Sequence, residues 1–547
     1  MKFHTKYILL VLVVVSSFKG LYSQNNSKNF NQLSELCRVW GYLKYFNKEV
    51  SQSNIDWDSV LVEILPEFYL NQSKSEFNSR LNKYLFISSN KKICGKKGHI
   101  PQELNWIDNS ELLNDESKEI LKTTLNNIPK TKRYVKLNST ARNCEFPNEK
   151  RYKNLDFPNR EYQILTLFKY WNTIKYFYPY KYLMDNDWDS VLTEYLPEFY
   201  SYSNKETFHK MVFKLTTELR DTHVQTGSSV ISNVMGYYFP YFYISYVNDN
   251  YVVSSFVNDS VKKNSLMQLG DIILAKDGIP ISELDSNIRF YYKASNPLVT
   301  DKYIADWILL GTRDSVQLKL KRGNDTLINI VPRIYRVERQ KLNDVKRKSS
   351  PCKIIQNDIG YINMGALYNN QIDSVYNIIR NTKGLIIDLR EYPNETYYKL
   401  CSKLINKRKI SFAKVNYPNL SIPGDFSGSL TLNVNGNKKD YYKGKVVLLI
   451  DENTQSQGEF STMALECSPN VIKIGCQTAG ADGNVSIINL PFGISTSFSG
   501  LRITYPDGRE TQRIGIIPDI EVEKKYVDIA SGKDTKLIFA INYLKNL

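Results

Sequence analysis

At 547 residues the chain is too long for one typical domain, and its 42% hydrophobic content is that of a folded globular protein. The net charge of +16 is spread along the chain rather than gathered into a run, which excludes a basic tract of the nucleic-acid-binding kind. None of the seven cysteines forms a Cys-x-x-Cys or a Cys/His cluster with zinc spacing, so neither a structural metal nor another cofactor is expected.

Lys2 and Lys6 precede the apolar run Ile8 to Val15, and small and polar residues follow up to about Ser23. The run is too short to span a bilayer, so residues 1–23 read as a secretory signal peptide, with a periplasmic or extracellular destination. No later stretch is apolar enough for a transmembrane helix. In an oxidising compartment Cys94 and Cys144, both in polar sequence surroundings, are a candidate disulfide, whereas Cys37 and Cys467 read as buried thiols.

The next two segments repeat. LCRVWGYLKYF from Leu36 is matched by LFKYWNTIKYF from Leu167, and DWDSVLVEILPEFY from Asp56 by DWDSVLTEYLPEFY from Asp187. One offset of 131 residues carries Trp40 onto Trp171, Trp57 onto Trp188 and Phe77 onto Phe208, with no gap. This is a duplicated unit. Apolar residues recur at helical spacing in each copy, so residues 24–150 and 151–235 read as small helical domains, with Pro66 and Pro197 interrupting or ending the second helix. The copies part at their ends. The first runs into a basic turn-like stretch at Cys94 to His99, the second into Asp221-Thr222-His223.

From 236 to 335 the pattern changes to alternating strands, with a hairpin-type turn at Asp277-Gly278. A basic, polar linker is expected at 336–352, and the last domain spans 353–547. Within it, GYINMGAL from Gly360 and GLIIDLREYP from Gly384 read as buried strands around a helix. Pro423 to Lys443, rich in Gly, Asn and Ser, reads as a surface hairpin or flap, and Thr535 to Leu547 as a docked helix.

Within that domain, Val446 to Ile450 and Val471 to Ile474 are short β-branched runs separated by a polar turn and a helical segment, the order of a parallel crossover. Ser456 sits where the turn becomes the helix, beside N–H groups with no intrahelical acceptor. A nucleophile there has an oxyanion site next to it. The same residues also form a capping box, Ser456 with Glu459, which needs no catalytic role.

Five stretches in this order, Asp-Thr-His at 221, Gly-Asp-Ile-Ile-Leu at 270 with Asp-Gly-Ile-Pro at 277, Gly-Leu-Ile-Ile-Asp-Leu-Arg at 384, Thr-Gln-Ser-Gln-Gly-Glu at 454 and Gly-Ile-Ile-Pro-Asp-Ile at 515, resemble the C-terminal processing peptidase and tricorn-core family of serine peptidases. The resemblance covers Glu161 to the C-terminus. It implies a multidomain α+β protein: duplicated helical N-terminal units, a PDZ-like β domain and a ClpP/crotonase-like α/β catalytic core. It also implies that Ser456 is the nucleophile of an exported endopeptidase acting on unfolded or C-terminally exposed polypeptides.

The family divides over the base. Where the processing-peptidase branch has a lysine, this chain has Ala481; the tricorn-like branch uses a histidine before the PDZ-like domain, and His223 stands there. Imidazole suits the role, since its pKa of about 6.5 lies near neutrality. The resemblance assigns Thr222 the hydroxyl next to the base, and the acid that orients it falls on Gln512, with Glu510 two residues away as the alternative. The oxyanion donors would be the N–H of Gln457 and, in place of the family's Gly-Gly, that of Asn394 in a left-handed conformation. Asp388 has a family counterpart and equally suits a structural role at a strand end. A second reading is a catalytically silent peptide-binding protein on the same fold, and a third, glycan binding by the aromatic-rich repeat, rests on composition.

Overall fold

The computed structural model describes residues 30–52, 55–84, 104–129, 132–346, 350–356 and 358–547. The expected signal peptide, Cys94 and His99 lie outside the described residues. The chain divides into two compact units. One holds the described residues up to Phe208 with Pro418–Asp425 and Ile487–Ser495; the other holds His209–Tyr417, Phe426–Ser486 and Thr496–Leu547.

In the first unit the duplicated segments form two like helix pairs, α1 (residues 30–46) with α2 (Trp57–Phe68) and α3 (Arg160–Phe177) with α4 (Trp188–Ser201). Asp56 and Asp187 cap the second helix of each pair by accepting from the N–H of Ser59 and Ser190. Two tryptophans then lock each pair. Trp40 and Trp57 exchange indole-to-carbonyl hydrogen bonds, both 3.0 Å, and Trp171 and Trp188 repeat the exchange at 2.7 and 3.0 Å. The two pairs meet at equivalent positions, Gly41 and Asn172. A Cβ on Gly41 would lie 1.9 Å from the Asn172 side chain, so only glycine admits the amide that donates to the Cys37 carbonyl.

Helices α2 and α4 run on past Pro66 and Pro197 to Phe68 and Ser201, beyond the end expected from sequence. So near a C-terminus a proline forfeits little of the hydrogen-bond ladder, and the fully buried Phe68 and Phe199 hold the last turn against the core. Cys144 is a buried free thiol rather than a residue in polar surroundings.

The two largest sheets lie in the second unit. The first is antiparallel and built from β1 (Tyr238–Pro240), β2 (Phe242–Val247), β3 (Asn250–Phe256), β4 (Ile272–Lys276), β5 (Ser315–Arg322) and β6 (Asp325–Tyr335), in the order β1-β6-β5-β4-β3-β2. Asp277 and Gly278 both take left-handed φ, 49° and 83°, as the Asp-Gly turn requires. Strand β2 forms one edge, and helix α5 (Pro297–Trp307) packs Ile304 and Ala305 into the same core as Phe242 and Ile244. Arg336–Lys346, in the stretch read as a linker, is helical.

The other sheet comprises β7 (Cys352–Ile355), β8 (Ile359–Asn363), β9 (Gly384–Asp388), β10 (Lys445–Ile450), β11 (Val471–Gly475) and β12 (Ile520–Glu521), in that order; β7 is antiparallel and the rest are parallel. In β10, Val446, Leu448 and Ile450 enter one core while Val447 and Leu449 enter the other. Burial on both faces is why the run carries no polar alternation. Helix α6 (Gln457–Leu465) comes directly after β10 and its turn, and α7 (Thr535–Lys545) covers the opposite face with Ala540 and Leu544. Part of the expected flap is a strand, Gly428–Val434, paired antiparallel with Ile410–Tyr417.

Charge as well as packing joins the two repeats of the first unit. Lys44, Asp58, Glu149 and Lys169 form a fully enclosed set of two cations and two anions. Burial alone would raise the Asp58 carboxyl, but Lys169 and Lys44 outweigh it and hold the group well below the usual carboxylate range. Its contribution to stability is therefore complete above about pH 4, the unfolded value, and is lost as the pH falls further. Glu149→Gln leaves two buried ammonium groups with one carboxylate. The expected outcome is a loss of about 3–5 kcal/mol, read as a large drop in the thermal midpoint. Glu145→Gln, which removes the exposed Lys136–Glu145 pair, is expected to leave the midpoint essentially unchanged.

Candidate active site

The residues that sequence reading placed at the centre stand at the end of β10. The chain leaves the strand through Asp451–Gln455 and enters α6 at Ser456, whose φ of 53° and ψ of −115° lie outside the regions favoured for a side-chain-bearing residue. Such a conformation costs about 1–3 kcal/mol and persists only where its surroundings over-determine it. Here they do. The Ser456 N–H donates to the carbonyl of Ala481 at 3.0 Å and to the Glu459 carboxylate at 3.2 Å. Thr454 fixes the turn from the other side, its hydroxyl donating to the Leu389 carbonyl and accepting from the Asp451 N–H. The capping box is present in outline, but the arm from the Glu459 N–H to Ser456 Oγ does not reach full hydrogen-bond geometry.

Glu459 itself does more than cap a helix. It is fully buried, and its two oxygens also accept from Thr478 Oγ1 at 2.5 Å, Gly480 N–H at 2.8 Å and Ala481 N–H at 3.0 Å. Burial pushes its pKa up to about 7, while these donors pull it down. One carboxylate thus ties the serine backbone to the loop 478–481. Ala481 is fully enclosed, with its N–H on Glu459 and its carbonyl on Ser456.

The same loop holds the histidine segment. Thr222 Oγ1 donates to the Ala479 carbonyl at 3.1 Å and accepts from Ser295 N–H at 3.1 Å, so the hydroxyl expected beside the base is occupied in fastening three segments together and does not bond the imidazole. Ala479 in turn donates its N–H to the Thr454 carbonyl. Ser456 and Thr222-His223 are therefore anchored two residues apart on one loop.

The orientation of His223 comes from residues that sequence reading did not single out. Its Nδ1 lies 2.9 Å from Ser499 Oγ, and Ser499 Oγ donates to Asp221 Oδ1 at 3.0 Å. Since that hydroxyl spends its proton on Asp221, it accepts from Nδ1–H. The neutral tautomer then carries its lone pair on Nε2, the nitrogen a general base needs. Asp221 also accepts from the N–H of His223 at 3.0 Å and of Ser499 at 2.8 Å, and Ser497 Oγ donates to the His223 carbonyl at 2.7 Å. Burial depresses the His223 pKa below 6.5, with the nearby Asp221 charge opposing. Asp221 was visible two residues before the histidine; Ser499, 276 residues further on, carried no local signal.

The other sequence candidates stand apart from the imidazole. Gln512 is fully buried, and neither atom of its amide has a hydrogen-bond partner among the described residues, so it does not orient His223. Glu510 is paired with Arg502. Asn394 is not in the left-handed region; the adjacent Glu395 is, at φ 49°, and the Asn394 amide instead donates to the carbonyls of Gly365 and Leu367. An asparagine side chain that finds two acceptors has no need of the strained backbone that glycine would have taken. Gln457 is the first residue of α6, so its N–H lies among the donors that a helix leaves unpaired. Asp388 accepts from Tyr361 and Arg390, and Arg390 continues to Asp534, a structural tie at the strand end. Among the described residues no His, Cys, Asp and Glu group has the spacing to hold a metal, and no helix is long and apolar enough to cross a membrane.

Residues 358–522 match the sequence profile of Peptidase family S41. Among solved structures, the chain is similar to mature CPAF complexed with lactacystin, at 13% identity and a TM-score of 0.54, over 71% of this chain and 98% of that one. It is likewise similar to mature CPAF alone, at 13% identity and a TM-score of 0.51, over 71% and 96%. The photosystem II D1 C-terminal processing protease matches at 15% identity and a TM-score of 0.40, over 68% and 98%. No curated protein sequence matches the chain. Residues 358–522, which contain Ser456 on its strand-to-helix turn, are thus a peptidase family S41 domain, and the chain is a serine-type peptidase.

Proposed function

We propose that Ser456 is the nucleophile and His223 its general base in an endopeptidase acting on unfolded or C-terminally exposed polypeptides. The observation that carries this reading is the fastening of both residues to the loop 478–481, with Ser456 in a positive-φ turn and His223 held in the Nδ1–H tautomer. His223 Nε2 takes the Ser456 proton as Oγ attacks the peptide carbonyl, and the resulting imidazolium is stabilised by the Ser499–Asp221 relay. The N–H of Gln457 receives the oxyanion. His223 then returns the proton to the departing amine, and water hydrolyses the acyl-enzyme.

The substrate would enter by the antiparallel sheet, which we read as PDZ-like. The edge of β2 and helix α5 border a cavity of about 500 Å³ that also reaches Glu452 in the turn after β10, Lys524 beyond β12 and Lys536 of α7. An extended peptide end added to this edge would satisfy its free backbone groups. We further propose export through the N-terminal segment, so that the mature enzyme works in a periplasm or outside the cell. The competing reading, a binding protein without turnover, draws on Gln512, a neutral and unbonded residue where the family resemblance places an acid.

Three measurements separate these readings. A serine-directed phosphonate is expected to label the protein, and Ser456→Ala to abolish both labelling and peptide turnover; peptide binding with labelling that survives the substitution would favour the binder. The labelling rate is expected to rise with pH through an inflection below 6.5 and then level off, because the base must be neutral and burial lowers its pKa. Ser499→Ala is expected to slow labelling on the order of tenfold or more without lowering the thermal midpoint in proportion, and Ser499→Thr, which keeps a hydroxyl, to recover most of the rate.

A further inference from the structure

The duplication places two equivalent charged sites in the first unit, and only one of them is filled. The 131-residue offset carries Lys44 onto Lys175, Asp58 onto Asp189 and Arg38 onto Lys169. In the closed site Asp58 is straddled by Lys44 at 3.2 Å and Lys169 at 2.9 Å. In the other, Asp189 is straddled by Lys175 at 3.1 Å and Arg38 at 3.3 Å, so the geometry repeats with the copies exchanged. What differs is the fourth member. Glu149, from the segment after the first copy, bridges Lys44 and Lys169 at 2.7 Å to each. The second site has no such bridge among the described residues: the one acid that Lys175 meets is Asp189, its ammonium otherwise lying over the Trp171 ring, and Arg38 has Glu35 on its outer nitrogen at 3.2 Å.

In place of a bridging carboxylate there is a cavity of about 680 Å³, lined by Arg38, Lys175, Asp189, Glu35, Trp106 and Asn109. Trp106 is one of the lining residues, and its indole N–H is buried without a hydrogen-bond partner among the described residues, a donor that costs free energy until something accepts from it. The lining carries Asp189 and Glu35 against Arg38 and Lys175. Burial raises the Glu35 pKa, with its hydrogen bonds and Arg38 opposing.

We propose that this cavity is a carboxylate-binding site, in which a carboxylate borne by a peptide, as an acidic side chain or a free C-terminus, takes the place between Arg38 and Lys175 that Glu149 takes between Lys44 and Lys169. The guanidinium offers a planar fork to such a group, and Trp106 adds a neutral donor. The inference stands independently of the chemistry assigned to Ser456.

The full chain carrying Ser456→Ala allows binding to be measured without turnover. Three probes are titrated by calorimetry and by the ¹⁵N indole signal of Trp106, assigned with Trp106→Phe: N-acetylglutamate α-amide for the side-chain carboxylate, N-acetylalanine for the terminal one, and N-acetylglutamine α-amide as the neutral control. At least one carboxylate is expected to saturate and to move the Trp106 signal, and whichever binds identifies the source. Lys175→Gln is expected to weaken that binding by roughly tenfold or more. If its melting profile shows that this variant is unfolded, Arg38→Gln carries the same expectation. Failure of both carboxylates to saturate, equal binding of the neutral amide, or unchanged affinity in the folded variant would overturn the proposal.

Discussion

The serine turn and the loop beside it depend on one buried carboxylate. Glu459 accepts four hydrogen bonds, from the backbone N–H groups of Ser456, Gly480 and Ala481 and from the Thr478 hydroxyl, and so sets the serine against the loop that carries everything else. Without such a clamp a serine at positive φ would relax, because its conformation is disfavoured by more than one ordinary hydrogen bond contributes. The loop is held from further points: Asn296 donates to the Thr478 carbonyl, Arg513 to that of Gly480, and Thr222 to that of Ala479. A helix start that sequence describes as a capping box is therefore one part of a clamp assembled from five chain segments.

Much of the fold was legible because its signals are local. Val446 to Ile450, buried on both faces, announces a central parallel strand; Asp277-Gly278 announces a hairpin turn; the constant offset between the two tryptophan-bearing segments announces a duplication. The site was legible only in part. Ser456 and His223 lie in short stretches with their own pattern, whereas Ser499 reaches His223 across 276 residues and looks in sequence like any strand serine. Position alone also misassigned Thr222, whose hydroxyl is consumed by Ala479 and Ser295. A role that depends on which acceptor a hydroxyl finds cannot be read from its neighbours in the chain.

The duplicated unit shows how identical residues come to different ends. Asp58 and Asp189 each meet a cation from both copies, yet the first is sealed by Glu149 and the second borders a cavity. The difference lies in the segment that each copy leads into. Beyond the first, the chain turns back and supplies an acid; beyond the second, it continues toward Asp221-Thr222-His223. The divergence that takes the second copy on to His223 thus leaves Asp189, among the described residues, without the acid that seals Asp58.

Position 481 serves the serine turn through its backbone alone. Its side chain is a buried methyl group, but its backbone keeps two tasks: the N–H donates to Glu459 and the carbonyl accepts from Ser456. Those tasks position the serine whichever residue stands at 481, so the loop's scaffolding function is separable from proton transfer. Thr222 fastens the segment of His223 to Ala479, two residues before Ala481. The Nδ1–H of His223 finds its acceptor in Ser499, whose hydroxyl donates in turn to Asp221.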